Sequence, residues 1–131
     1  MTLTVLPDPV AICQLPPESP PPAWAWHGAF CSVTRTATEV SVITDATNVP
    51  SEVNGKTGWR VLAVQGPLPF DMIGVLASLS EPLAGAGVPI FSVSTFDTDY
   101  LLVEDDFLHN AVAALRMAGN TVAGFAESNA S

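Results

Sequence analysis

The second half of the chain has the more regular alternation of apolar and polar positions. Trp59–Gln65 is an apolar, β-branched run that predicts a strand. In the stretch that follows, Met72, Leu76 and Leu79 are spaced i, i+4 and i+7, as on one face of a helix. This spacing predicts an amphipathic helix that opens near the start of FDMIGVLASL and that Pro82 ends or kinks.

Three further strands and a second helix complete this half. Ile90–Ser94, Tyr100–Val103 and Thr121–Gly124 have strand composition, and Asp105 or Asp106 is placed to cap a helix before the last of them. The apolar stripe of that helix consists of Leu108, Ala111, Val112 and Leu115. The resulting order β-α-β-β-α-β predicts an α+β fold, with a four-stranded antiparallel sheet and both helices on one face.

The first half has strands but no helical pattern. Leu3–Leu6 and Val10–Leu15 read as strands, and the proline-rich Pro16–Pro22 predicts extended surface chain. The runs AFCSVTRT and EVSVIT predict a hairpin. Whether Leu3–Leu6 completes the first half or joins the second is left open by the pattern.

The two halves match each other in sequence. Shifted by 60 residues, Ala29–Ile43 lies over Pro89–Val103 without a gap, whereas Gln14–Pro16 matches Gln65–Pro67 at a shift of 51. The two shifts differ by nine residues, so the first half is shorter by that number between its strand and its hairpin, where the second half has its first helix. We interpret this as a duplicated unit whose first copy, residues 1–57, is degenerate, followed by a full copy, residues 58–131. Chance agreement between two hairpins rich in Ser, Thr and Val is the alternative.

Composition and charge limit the classes of molecule that this protein is expected to bind. Hydrophobic residues make up 48% of the chain, and 13 acidic against 4 basic residues give a net charge of −9. Nucleic acids and anionic membranes are therefore poor partners, and the excess of negative charge favours a cationic or zwitterionic ligand. The N-terminus lacks the pattern of a signal peptide, and Cys13 and Cys31 match no zinc or CxxC motif. We expect a cytoplasmic protein with reduced cysteines.

The sequence offers no catalytic constellation. His27 and His109 have no spacing that would bring either histidine to a cysteine or serine nucleophile. The acidic stretch DTDYLLVEDD lacks the spacing and central glycine of a calcium-binding loop. We therefore expect no enzymatic activity, no metal site and no cofactor.

Several segments together resemble the ACT-domain family. These are GPL, the helix GVLASLSEPLAGAGVPI, the hairpin FSVSTFDTDYLLV and, in the first half, SVTRT. The chain resembles the paired ACT domains of small bacterial proteins akin to aspartokinase regulatory regions, and eukaryotic cytosolic arginine sensors contain related domains. The resemblance covers roughly Thr2 to Phe125. It implies two ACT-like β-α-β-β-α-β units that bind a small molecule, usually an amino acid, have no catalysis of their own and pair through sheet edges as a homodimer.

The resemblance also implies a ligand site between the loop before the first helix and the turn of the second hairpin. The candidate ligand-binding residues are Gly66, Pro67, Phe70, Asp71, Ser94, Thr95, Phe96, Asp97 and Asp99. Backbone N–H groups at the helix start, with Pro69 preorganising the first turn, suit a carboxylate. Asp97 and Asp99 suit an ammonium or a cationic side chain. Serine, threonine and aspartate are also ordinary turn formers, so a purely structural role for them stays open.

Two further alternatives concern surfaces. The segment AWAWHG predicts at most one helical turn, and Trp24, Trp26 and Trp59 either close the core of the first unit or form a dimer patch. A dimerisation or interaction module that uses its sheet edges and binds no ligand is the alternative function.

Overall fold

A computed structural model describes residues 1–126 and divides the chain into two compact units. The N-terminal unit is Asp8–Trp59, and the C-terminal unit combines Met1–Pro7 with the chain from Arg60 onward. Met1–Pro7 falls within the predicted first unit of residues 1–57, although the sequence pattern left the pairing of its strand open, and it belongs to the C-terminal unit. The reason is the pairing of its strand, described below.

The secondary structure follows the predicted order. The strands are β1 Thr2–Val5, β2 Val10–Leu15, β3 Ser32–Arg35, β4 Val40–Asp45, β5 Gly55–Val64, β6 Phe91–Ser94, β7 Asp99–Glu104 and β8 Thr121–Ala123. The helices are α1 Val75–Gly85 and α2 Leu108–Met117, with short 3₁₀ helices at Ala23–Trp26, Ala46–Asn48 and Asp105–Phe107. Neither α-helix of residues 1–126 is long and apolar enough to span a bilayer.

The C-terminal unit has five strands in the order β6-β7-β5-β1-β8. β1 pairs antiparallel with β5, where Leu3 lies opposite Val64, and parallel with β8, where Leu3 lies opposite Val122. The first strand of the chain therefore joins the second unit. It fills the place between β5 and β8, so the sheet has five strands where the pattern of the second half alone predicts four.

Both helices of this unit pack on one face of the sheet, as predicted. Alternate strand residues and the inner faces of α1 and α2 form one core cluster, because side chains of a strand alternate between its two faces. Its fully buried members include Leu3, Leu62, Leu79, Leu101 and Leu115. All four residues of the predicted α2 stripe are buried.

The first helix begins later than predicted. Gly74 has a left-handed backbone (φ 81°), and α1 starts only at Val75. Met72 and Ile73, counted in the predicted helix, lie in the preceding loop and are exposed. The sequence predicted that Pro82 ends or kinks the helix; Pro82 lies inside the helix, which continues to Gly85, so the first of these alternatives is wrong. The last residue of the helix is Gly85.

The sheet of the N-terminal unit has the strand order β3-β4-β2, and the first part of β5 pairs with β2. Its small core consists of Ala11, Cys13, Ala25, Val40 and Val42. Trp24 packs against this core, whereas Trp26 is exposed. Both cysteines are free, and burial raises the pKa of the Cys13 thiol. Among Asp8–Trp59, every residue of which is described, the helices are all 3₁₀, which agrees with a copy that lacks its α-helices.

The hairpins of the two units repeat each other, but at a shift of 59 rather than 60. Arg35 opposite Val40 corresponds to Ser94 opposite Asp99. β4 then corresponds to β7 residue for residue, and the 3₁₀ helix after each strand begins at the same shift. The gapless overlay of the two sequences is thus wrong by one residue. Runs of Ser, Thr and Val resemble each other at neighbouring registers, although a one-residue slip exchanges the two faces of a strand.

Candidate functional site

A cleft of about 300 Å³ opens in the C-terminal unit. It lies between the loop before α1, the first turn of α1 and the turn that joins β6 to β7. The lining residues are Leu68, Pro69, Phe70, Met72, Gly74, Val75, Leu76, Ser94, Thr95, Phe96, Asp97, Thr98 and Asp99. Six of the nine residues predicted from sequence therefore lie together around one cavity: Phe70, Ser94, Thr95, Phe96, Asp97 and Asp99.

The hydroxyl groups of the turn hold its shape. The Thr95 N–H donates to the carbonyl oxygen of Thr98 (2.8 Å), and the Thr95 hydroxyl donates to the same oxygen (3.1 Å). The Thr98 hydroxyl, which is buried, donates to the carbonyl of Val64 on β5 (2.7 Å). Thr95 thus closes the turn and Thr98 attaches it to the sheet, as expected of threonine in turns.

The two turn carboxylates differ in what they bind. Asp99 Oδ1 accepts a hydrogen bond from the Ser94 hydroxyl (2.6 Å). The carboxylate of Asp97 lines the cleft and has no hydrogen-bond partner within residues 1–126, while its backbone carbonyl accepts the N–H of Leu68 (2.7 Å). Turn chemistry therefore accounts for Ser94 and Asp99 and leaves the acceptor capacity of Asp97 unused.

The N-terminus of α1 forms the opposite part of the cleft. Its cap residue, Gly74, has no side chain to cap the helix, and the first intrahelical bond runs from the Ser78 N–H to the Gly74 carbonyl (2.9 Å). The N–H groups of the first turn have no acceptor within a helix, and the helix dipole is positive there. Val75 and Leu76 belong to this turn and line the cleft. A carboxylate is the group that suits such a site.

The remaining predicted residues have other positions. A Cβ atom added to Gly66 would lie 3.0 Å from the Asp97 carbonyl oxygen and 3.0 Å from Thr98 Cβ, so Gly66 lets the loop pack closely on the turn. Gly66, Pro67 and Asp71 lie outside the cleft lining. Pro69 lies in the loop, well before Val75, so the expectation that it starts the helix is wrong.

The apolar wall of the cleft is the part that sequence reasoning underestimated. The rings of Phe70 and Phe96 pack edge to face with centroids 4.6 Å apart, and both side chains are about three-quarters exposed. Leu68, Met72 and Leu76 add aliphatic surface. Met72 and Leu76 appeared in the predicted helix stripe, and nothing in their spacing distinguished cleft residues from core residues.

The N-terminal unit has a corresponding turn but uses it differently. The Thr36 N–H donates to the Glu39 carbonyl (2.9 Å), as Thr95 does to Thr98. Side chains then bridge this hairpin to the proline-rich loop and β2. Arg35 Nη2 donates to the Ser19 carbonyl (2.7 Å), and Gln14 Nε2 donates to the Glu39 carboxylate (3.2 Å). Because no α-helix opens here, the candidate site is confined to the C-terminal unit.

Thr98→Val should loosen the turn that joins β6 to β7, because valine has nearly the same size as threonine but lacks the hydroxyl group. The substitution removes the buried donor to the Val64 carbonyl, which is expected to lower the free energy of unfolding by about 1–3 kcal/mol. Urea denaturation measures the change. Thr95→Val, at an exposed position of the same turn, is the control, and equal stability of the two variants would contradict the role assigned to Thr98.

Comparisons with known proteins identify the family. Residues 54–117 match the family model of the ACT domain, and residues 8–52 match a second model described as an N-terminal domain. A crystal structure of a protein from Agrobacterium tumefaciens is 36% identical, with a TM-score of 0.89, and the match covers 95% of this chain and 93% of that one. Residues 54–117 therefore belong to the ACT-domain family, which confirms the resemblance drawn from that part of the sequence.

Two further similarities are to a sensor, in sequence, and to a regulatory subunit, in fold. The human cytosolic arginine sensor for mTORC1 subunit 1 is 36% identical over 59 residues, which is 44% of this chain but only 18% of the sensor. The regulatory subunit of aspartate kinase from Thermus thermophilus has a TM-score of 0.62 at 13% identity, over 89% of this chain and 96% of that one. The latter likeness is one of fold alone. No group of three or more metal-ligating side chains occurs in the described part of the chain.

Proposed function

We propose that this protein is a regulatory protein that binds an amino acid in the cleft of its C-terminal unit and has no catalytic activity of its own. One observation carries the proposal. The cleft joins an uncapped helix N-terminus to the unpaired carboxylate of Asp97. A free amino acid has one carboxylate for the helix N-terminus and one ammonium for the aspartate.

The charge of the cleft favours an amino acid with a cationic side chain. Asp97 and Asp99 line it, and no lysine or arginine does. Phe70 and Phe96 offer aromatic surface on which a guanidinium group or an aliphatic chain can pack. Arginine is therefore the first ligand to test, and the name of the human relative points to the same amino acid.

Regulation requires that the ligand prefer one of two states of the protein. We propose a cytoplasmic homodimer that forms through exposed sheet edges. Among the described strands of the C-terminal unit, β6 pairs with β7 and β8 pairs with β1, so these two strands lie at the ends of the sheet, where another chain could add a strand. The name of the human relative, a cytosolic sensor, supports the cytoplasmic part of this proposal.

Asp97→Asn should remove the ligand response and leave the fold intact. Thermal unfolding is followed against each of the twenty amino acids at millimolar concentration. A ligand at about 100 times its dissociation constant adds about 2.7 kcal/mol to the parent's stability. Losing a charge-assisted hydrogen bond should weaken binding by about 1.5–3 kcal/mol, because asparagine keeps the shape of the side chain but not its charge. Thr95→Ala should also weaken the response by loosening the turn.

The matched control is Asp106→Asn. Asp106 is an exposed carboxylate that follows β7, at the end of the strand away from the cleft. It should respond like the parent. A parental response from Asp97→Asn would show that the ligand binds elsewhere. No shift with any amino acid would leave a dimerisation or interaction module as the better description.

A further inference from the structure

Exposed apolar side chains are concentrated at the mouth of the cleft. Phe70, Met72, Ile73 and Phe96, here named the apolar rim, are four of the eight large hydrophobic side chains exposed in the described part of the chain. Ile73 is 95% exposed and thus contributes almost nothing to the protein's own core. Such a cluster of apolar side chains on a surface marks a place where another molecule binds.

The charges around the apolar rim all have one sign. The segments that carry the rim and the neighbouring turn, residues 65–76 and 94–99, contain three carboxylates (Asp71, Asp97 and Asp99) and no lysine or arginine. Asp71 lies in the same loop as Phe70 and Ile73, and Asp97 lies next to Phe96. A partner that covers the rim must therefore bring positive charge, because like charges placed opposite each other oppose binding.

We propose that the apolar rim is the docking surface for a basic segment of another protein. The segment carries a large aliphatic or aromatic side chain flanked by lysine or arginine. The apolar side chain packs on Ile73 and the exposed edge of the two phenylalanine rings, and a flanking cation pairs with Asp71, which lies outside the cleft lining. This combination of an apolar centre and a charged border is common in protein interfaces.

A second copy of this chain fits the surface poorly. Two rims placed face to face would oppose carboxylate to carboxylate. The chain has four lysine and arginine residues, and three of them already donate hydrogen bonds within it: Arg35 to Ser19, Arg60 to Asp105 and Arg116 to Val122. The same negative charge disfavours an anionic membrane surface.

Docking on the rim does not depend on a ligand in the cleft. Ile73 is absent from the cleft lining, so a substitution there separates the two proposals. Ile73→Ser removes the most exposed apolar side chain of the rim. Met117→Ser is the matched control, because Met117 is 90% exposed at the end of α2 in the same unit.

The test measures the fluorescence anisotropy of a labelled synthetic amphipathic helix of leucine and lysine, titrated with the parent protein and each variant. We expect binding to the parent, roughly tenfold weaker binding to Ile73→Ser and parental binding to Met117→Ser, since removing a central apolar contact has effects of this size. Asp71→Asn should also weaken binding, and Asp106→Asn should not.

Several results would overturn the proposal. They are no binding of the peptide to the parent, equal binding to the parent and Ile73→Ser, or equal binding of a peptide in which glutamate replaces lysine. Sedimentation that shows a dimer of the parent but not of Ile73→Ser would assign the rim to a second copy instead. Ile73→Ser should keep the thermal response to amino acids, so failure of docking and failure of ligand binding are distinguishable.

Discussion

Leu79→Ala is expected to lower the free energy of unfolding of the C-terminal unit by about 2–5 kcal/mol, the range found when a buried leucine leaves a cavity. The Leu79 side chain is fully buried on the inner face of α1, in the same core cluster as Leu83 and Leu115. Neighbours from a sheet and a second helix are close-packed, so they can fill only part of the space that the lost atoms leave.

Urea denaturation measures this loss, with Met117→Ala as the control. Met117 is an exposed side chain of α2, and its truncation should change stability by only about 0.5 kcal/mol. Leu79 lies four residues after Val75, one helical turn away on the same face, and Val75 lines the cleft. A response to amino acids should therefore weaken in Leu79→Ala as the helix start shifts. Equal stability of the two variants would contradict the assigned core.

The spacing of apolar residues alone was sufficient to predict the strands and the helix that bury one face in the core. The α2 stripe and the alternating strand residues are apolar because the core lies on one side of them, and these predictions are confirmed. The start of α1 was not predictable in this way. Met72 and Ile73 continue the helical spacing in sequence, but Gly74 interrupts the helix with a left-handed backbone. Met72 and Ile73 are apolar residues of an exposed loop. A pattern of hydrophobicity cannot distinguish such residues from those on the buried face of a helix.

Non-local pairing explains the other differences between prediction and structure. Nothing within Thr2–Val5 specifies whether it pairs in the first or the second unit, because that choice depends on β5 and β8, which come much later in the chain. The candidate site is similar. The resemblance to a family placed the loop near the turn, and the hydrogen bond that joins them runs from the Leu68 N–H to the Asp97 carbonyl, while the Thr98 hydroxyl attaches the turn to Val64 of β5. Such contacts between distant segments leave no local signal in the sequence.

Gly124→Ala is expected to be about as damaging as a core truncation. Gly124 has a φ of 82°, and a Cβ atom at this position would lie 2.6 Å from the Val5 carbonyl oxygen on β1. A side chain there adds left-handed strain of about 1–2 kcal/mol to overpacking of about 1–3 kcal/mol. The total expected loss is about 2–5 kcal/mol, because the atom in the way belongs to the backbone of a paired strand and cannot rotate aside.

Gly119→Ala separates the two contributions. Gly119 also has a positive φ, 99°, but a Cβ atom there would meet nothing within 4 Å. Gly119→Ala should therefore lose only the free energy of unfolding that comes from backbone strain. Urea denaturation measures the loss in both variants, and the additional loss in Gly124→Ala is the cost of the close contact with Val5. If both alanines destabilise the protein equally, then β1 does not lie as close to the end of β8 as described. If Gly124→Ala is clearly the weaker protein, then the N-terminal strand is locked against β8, which supports its assignment to the C-terminal unit that contains the cleft.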